Sequence, residues 1–249
     1  MNNLYLGVKF ALSYFTVLPI RFSKSDDLAR PAVLRAMLLS LPFVGVLLAG
    51  LSIGVFVAFE PLGWLAAILA SVAYMVLYGF IHTEAIIDVA DAVYAAHSGK
   101  DPYSVIKEPS VGAMGVLYGT GFVILKIAAL STLLMHHLFL PFVAIALISR
   151  LTLLILIRTY TFRSSFVSQL RDSLDVLPVL FLAALFTLAG IFFLSWMFVP
   201  LLFLGILAAL LLSALAKRSL GFVNGDVLGM ALEGVELILI FAVLGAWVV

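Results

Sequence analysis

Long apolar runs broken by short polar ones dominate the chain. Stretches 33–58, 63–83, 113–134, 138–157, 176–197, 200–216 and 227–247 are predominantly apolar. Each comes near the roughly 20 residues that carry a helix across the hydrocarbon core. Pro200 is expected to separate the fifth stretch from the sixth. A further apolar segment, 4–20, holds Lys9 and ends at Leu18-Pro19; it reads as an interfacial or partly inserted helix. The pattern predicts an all-α, polytopic integral membrane helix bundle of about six to seven transmembrane helices plus an interfacial N-terminal helix. No long polar linker divides it, so residues 1–249 read as a single domain.

The polar breaks alternate in kind. One set carries Arg21, Lys24, Arg30 and Arg35, then Lys100 and Lys107, then Arg158, Arg163 and Arg171, and last Lys217 and Arg218. The intervening set holds Glu60, then His136 and His137, and nothing charged around Val199-Pro200. Basic loops stay in the cytoplasm. Nearly every carboxylate lies with them, which predicts an inner-membrane protein whose chemistry faces the cytoplasm.

Composition agrees with the pattern. The chain is 65% hydrophobic and 11% charged, where soluble domains are about half apolar and about a quarter charged. A net charge of +1 gives no argument for nucleic acid, and the lack of cysteine excludes disulfides, thiolate metal sites and cysteine nucleophiles. The N-terminus has no basic start with a small-residue cleavage site, so no removable signal is expected. The sequence does not fix oligomeric state and leaves room for a homo-oligomer.

Three polar groups carry candidate chemistry. Glu84, Asp88 and Asp91 are spaced by four and three residues, which puts them on one helix face. An acidic face at the end of an apolar run suits magnesium, held by one or two carboxylates and substrate phosphates. The plainer account is a helix turning polar as it leaves the membrane. His82 by itself reads as a hydrogen-bonded interface residue. The second group is Lys107-Glu108-Pro109-Ser110-Val111-Gly112-Ala113-Met114-Gly115, either a helix N-terminus open to an anion or an ordinary turn. The third is Gly221-Phe222-Val223-Asn224-Gly225-Asp226, with Asp226 placed to cap the last helix. Glu233 and Glu236 follow inside an apolar helix, where an ionisable group is costly unless it faces a wet or cation-bearing cavity. Arg158 suits an anchor at the membrane boundary. Arg150 lies deeper and should pair with an acid or a phosphate. These parts fit a membrane transferase acting on a pyrophosphate-linked donor, or an ion-coupled transporter. There is no Walker loop or dinucleotide fingerprint.

The order of motifs resembles the cobalamin synthase family, the adenosylcobinamide-GDP ribazoletransferases. The resemblance rests on Leu18-Pro19, on the acidic stretch from His82 to Ala92, on Lys107 to Gly115, and on Gly225-Asp226-Val227-Leu228-Gly229 with Glu233 and Glu236. It spans nearly the whole chain. Glu84, Ala85, Ala92, Glu108 and Ser110 depart from the family pattern of Asp, Gly, Gly, Asp and Arg. The resemblance implies a magnesium-dependent transfer in which a ribose hydroxyl of α-ribazole, or of its 5′-phosphate, displaces GMP from adenosylcobinamide-GDP. It implies Asp88, Asp91 and Asp226 as catalytic residues, and Glu84 with those three as magnesium ligands. Substrate contacts would come from His82, Lys107, Glu108, Arg150, Arg158, Glu233 and Glu236. The alternatives are the ion-coupled transporter and a CDP-alcohol-type phosphotransferase.

Overall fold

The structure, a computed structural model, describes residues 2–247 and is all-α, with no strand among the described residues. The helices are α1 (Asn3–Phe15), α2 (Pro31–Leu39), α3 (Leu41–Phe59), α4 (Trp64–Leu77), α5 (Ile81–His97) and α6 (Pro102–Ile106). They continue as α7 (Ala113–Met135), α8 (Phe139–Thr159), α9 (Ser165–Ser173), α10 (Val176–Leu194), α11 (Phe198–Leu220) and α12 (Gly225–Trp247). Among the described residues, five stretches are long and apolar enough to cross a membrane, and a sixth counts if α4 and α5 form one broken span. The chain is a multi-pass helical membrane protein.

Three breaks fall elsewhere than the hydropathy pattern places them. The 33–58 run breaks at Ser40, whose hydroxyl donates to the Ala36 carbonyl at 2.7 Å. Pro42 has no N–H with which to continue the helix through that point. Arg35 of α2 then turns towards α9, bonding the Ser173 carbonyl at 3.1 Å and Asp175 at 2.8 Å. The 63–83 run breaks at Gly79 and Phe80, which take left-handed φ values of 63° and 55° and bend α5 by 79° from α4. Gly79 adopts that conformation freely and Phe80 does not. Val176–Leu220 is 45 residues long and divides at Ser195, φ 56°, instead of at Pro200. Pro200 lies in the first turn of α11, where its missing N–H costs nothing. As one straight helix this stretch would be about 68 Å long. The Phe198 ring packs at Gly190, and α10 and α11 both lie against α8.

The N-terminal helix α1 has 13 residues, about 20 Å of rise, and is not among the candidate crossings. It lies across α2, with Gly7 against Ala36, and the Val17 N–H donates to the Leu77 carbonyl at 2.9 Å. The basic segments gather at one end of the bundle. There the Tyr103 hydroxyl donates to the Arg163 carbonyl at 3.2 Å, and the Arg163 N–H to the Val223 carbonyl at 3.1 Å. At the far end Glu60 lies 3.7 Å from His137. Central to the packing is α12, which touches α5, α7, α8 and α11.

Candidate functional site

The acidic helix α5 is seated by small residues on both sides. Ala85 fits against Gly229 of α12, where a β-carbon on the glycine would collide with it. Ile87 and Asp91 occupy the groove left by Gly112, Gly115 and Gly119 at the start of α7. Glu84 is exposed, while Asp88 and Asp91 are half-buried.

Asp91 has a specific employment. One of its oxygens accepts the Gly112 N–H and the other the Gly115 N–H, both at 2.6 Å. These donors begin α7, so Asp91 caps that helix from outside and meets its positive end. The sequence left this N-terminus open for a substrate anion; the protein's own carboxylate fills it. Lys107 does not point there. It lies with its ammonium 4.1 Å from the Tyr103 ring centre.

Asp226 also differs from expectation. Asn224, not Asp226, caps α12, its side-chain oxygen accepting the Val227 N–H at 3.1 Å. The Asn224 amide donates to the Asp226 carboxylate at 2.6 Å. Asp226 is thereby held in the first turn with capacity to spare. The negative charges that bear on Asp88 are those of Asp226, Glu84 and Asp91. No ion pair among the described residues reaches any of these four.

The predicted four-carboxylate metal set is not assembled as such. Among the described residues, no three histidines or carboxylates converge to hold a metal by themselves, and Asp91 is engaged at α7. Magnesium asks less, since one or two carboxylates suffice when substrate phosphates complete the shell. The uncompensated charge of Glu84, Asp88 and Asp226 fits that requirement.

Beside Asp226 opens a polar recess of about 640 Å³, lined among others by Tyr14, Tyr103, Lys107, Arg163 and Asn224. Arg163 lies 3.8 Å from the Tyr103 ring centre and 5.6 Å from that of Phe222. Lys107 and Arg163 thus share one aromatic ring and face a recess bordered by an acid. In the sequence Arg163 is one loop charge among several, and nothing local marks a loop arginine as inward-facing. A second, smaller pocket of about 150 Å³ also borders Asp226 and includes His82.

Other expected contacts lie elsewhere. Glu108 and Arg158 are exposed and line neither cavity. Glu233 and Glu236 do not meet a wet cavity; they are buried at 0% and 2% exposure. Lys126 of α7 ion-pairs with Glu233, and with Glu236 at 2.7 Å, while Arg150 pairs with Glu236. Tyr78 and Thr83 donate to Glu233 at 2.6 and 3.1 Å. Tyr74 and Ser149 donate to Glu236 at 2.7 and 3.0 Å. Two acids and two bases close the cluster, which is why glutamates tolerate this depth. Lys126 is not among the expected site residues, and a lone lysine inside an apolar run is the signal that marks it.

A bundle with basic loops and an unpaired acidic cleft at one end defines a polytopic membrane protein. The family model described as cobalamin-5-phosphate synthase matches residues 7–244, and the chain belongs to that family. A relative from Brevibacillus brevis, named adenosylcobinamide-GDP ribazoletransferase, is 27% identical over 95% of this chain and 97% of its own. One of the same name from Chlorobium chlorochromatii is 31% identical over 92% of each chain. No solved structure matches.

Proposed function

We propose that this protein is an adenosylcobinamide-GDP ribazoletransferase of the inner membrane, with its active site towards the cytoplasm. The acceptor is α-ribazole or its 5′-phosphate. A ribose hydroxyl oxygen forms a bond to the cobinamide-side phosphorus, and the anhydride bond breaks on its far side. GMP leaves with the bridging oxygen, and the hydroxyl proton goes to a carboxylate or to water.

The observation that carries this reading is the place of Asp226. It borders the cationic recess and stands among the unpaired acids Asp88 and Glu84. Asp226, steadied by Asn224, is suited to orient the attacking hydroxyl and take its proton. Lys107 and Arg163 are suited to hold phosphate oxygens, Arg163 pre-set by its stacking on Tyr103. Glu84 and Asp88 would hold magnesium together with those oxygens, and the ion would supply neutralisation of the charge on the transferring phosphorus. Asp91 keeps α5 in register with α7. Phosphoryl transfer asks chiefly for such positioning and charge balance.

Membranes carrying the protein, given both substrates, should release GMP, with turnover abolished by a chelator and restored by magnesium. Asp88→Asn and Asp226→Asn should each lower it by about 100-fold or more. Full turnover in either variant overturns the assignment. Release of CMP from a CDP-activated alcohol, in place of GMP, overturns the donor.

A further inference from the structure

We propose that the small apolar pocket beside Asp226 seats the planar aromatic base of the acceptor nucleoside and so selects which bases are accepted. This rests on the reaction proposed above. The pocket and the polar recess share Tyr14, Phe166, Val167, Gly225 and Asp226, so they meet at that carboxylate. A nucleoside whose hydroxyl reaches Asp226 has room on either side: its ribose towards the recess where Lys107 and Arg163 hold the donor's phosphate oxygens, its base into the pocket.

The pocket suits a flat aromatic group in size and in surface. Its volume is about 150 Å³, and an apolar cavity of about that size takes up a benzene ring. A fused two-ring base fills it and extends towards the recess. Its walls carry Tyr14, Phe15, His82, Ile157, Phe166 and Leu170. The Phe15 and His82 rings are stacked at 6.0 Å, Tyr14 meets Phe15 edge-on at 4.9 Å, and Tyr14 and Phe166 lie 5.7 Å apart. Ring faces and edges are therefore both on offer, which is how aromatic groups are gripped. Polar side chains in the lining are confined to Tyr14, His82 and Asp226. A base with an exocyclic amine would lose water there with few partners to replace it, a penalty an all-carbon second ring avoids.

The experiment compares acceptors that differ only in the base: α-ribazole phosphate, its unmethylated benzimidazole analogue, and the adenine analogue. Wild-type kcat/KM should favour the benzimidazoles over adenine by about tenfold or more. Leu170→Trp, which fills the pocket, should lower kcat/KM for the dimethylated base at least tenfold more than for the unmethylated one, with the KM for adenosylcobinamide-GDP unchanged. Phe166→Ala, which enlarges it, should narrow the gap between the bases and serves if the tryptophan variant does not fold. An equal fall for all three acceptors in both variants, or a rise in donor KM alone, overturns the proposal. Where wild type releases no GMP at all, the reaction is wrong and the pocket is judged by equilibrium dialysis with free benzimidazole. Binding by wild type that Leu170→Trp abolishes upholds an aromatic-ring site; no binding, or equal binding, overturns it.

Discussion

Two groups of acids sit about two helical turns apart on α12 and its neighbours, and they are treated in opposite ways. Glu233 and Glu236 are sealed among Lys126, Arg150, Tyr74, Tyr78, Thr83 and Ser149. Glu84, Asp88 and Asp226 have no basic partner within ion-pair reach among the described residues. A carboxylate that is buried and balanced holds helices together. One left at the bundle end without a counter-charge stays available to a cation or a proton. Position along the chain does not separate the two kinds, since seven residues divide Asp226 from Glu233; partners do.

Removing a partner from the sealed group should have the largest effect. Lys126→Met leaves two carboxylates facing a single arginine, and breaking a buried pair costs about 3–5 kcal/mol. Thermal melting in detergent should fall steeply, and adding Glu233→Gln to the same chain should recover a large part of the loss. No recovery in the double variant would show that Lys126, Glu233, Glu236 and Arg150 do not act as one unit. The open group should answer in the opposite sense: Asp88→Asn should cost about 100-fold in GMP release while melting holds or rises slightly, because like-charge repulsion is relieved. A melting loss comparable to that of Lys126→Met would erase the distinction.

Smaller effects sharpen the boundary. Arg163→Ala removes a charge-assisted contact of about 1.5–3 kcal/mol, so kcat/KM should fall roughly 10- to 100-fold, with Arg163→Lys recovering only part because an ammonium lacks the stacking plane. Arg158→Ala, outside both cavities, should stay within about 0.5 kcal/mol in melting and alter GMP release little.

Much of this was legible from local rules. Helical spacing put Glu84, Asp88 and Asp91 on one face, and the alternation of basic loops anticipated that Arg35, Lys107, Arg163 and Asp226 would lie at one end of the bundle. The rest depended on contacts distant in sequence. Lys126 finds Glu233 across 107 residues, and Asp91 finds Gly112 across 21; no periodicity encodes either partner. The choice between Asn224 and Asp226 as cap turns on a shift of two positions within one turn-forming tripeptide, which composition does not resolve. The cut at Ser40 was written in Pro42, but an apolar run masks it when hydropathy alone is averaged.

The bend at Gly79 and Phe80 also sets a direction. The 14 residues of α4 rise about 21 Å, short of a hydrocarbon core about 30 Å thick. From there α5 swings aside by 79°, carrying its acids sideways instead of onward along the axis of α4. Glu84, Asp88 and Asp91 are therefore presented by a helix that crosses the end of α4, not by one that continues it.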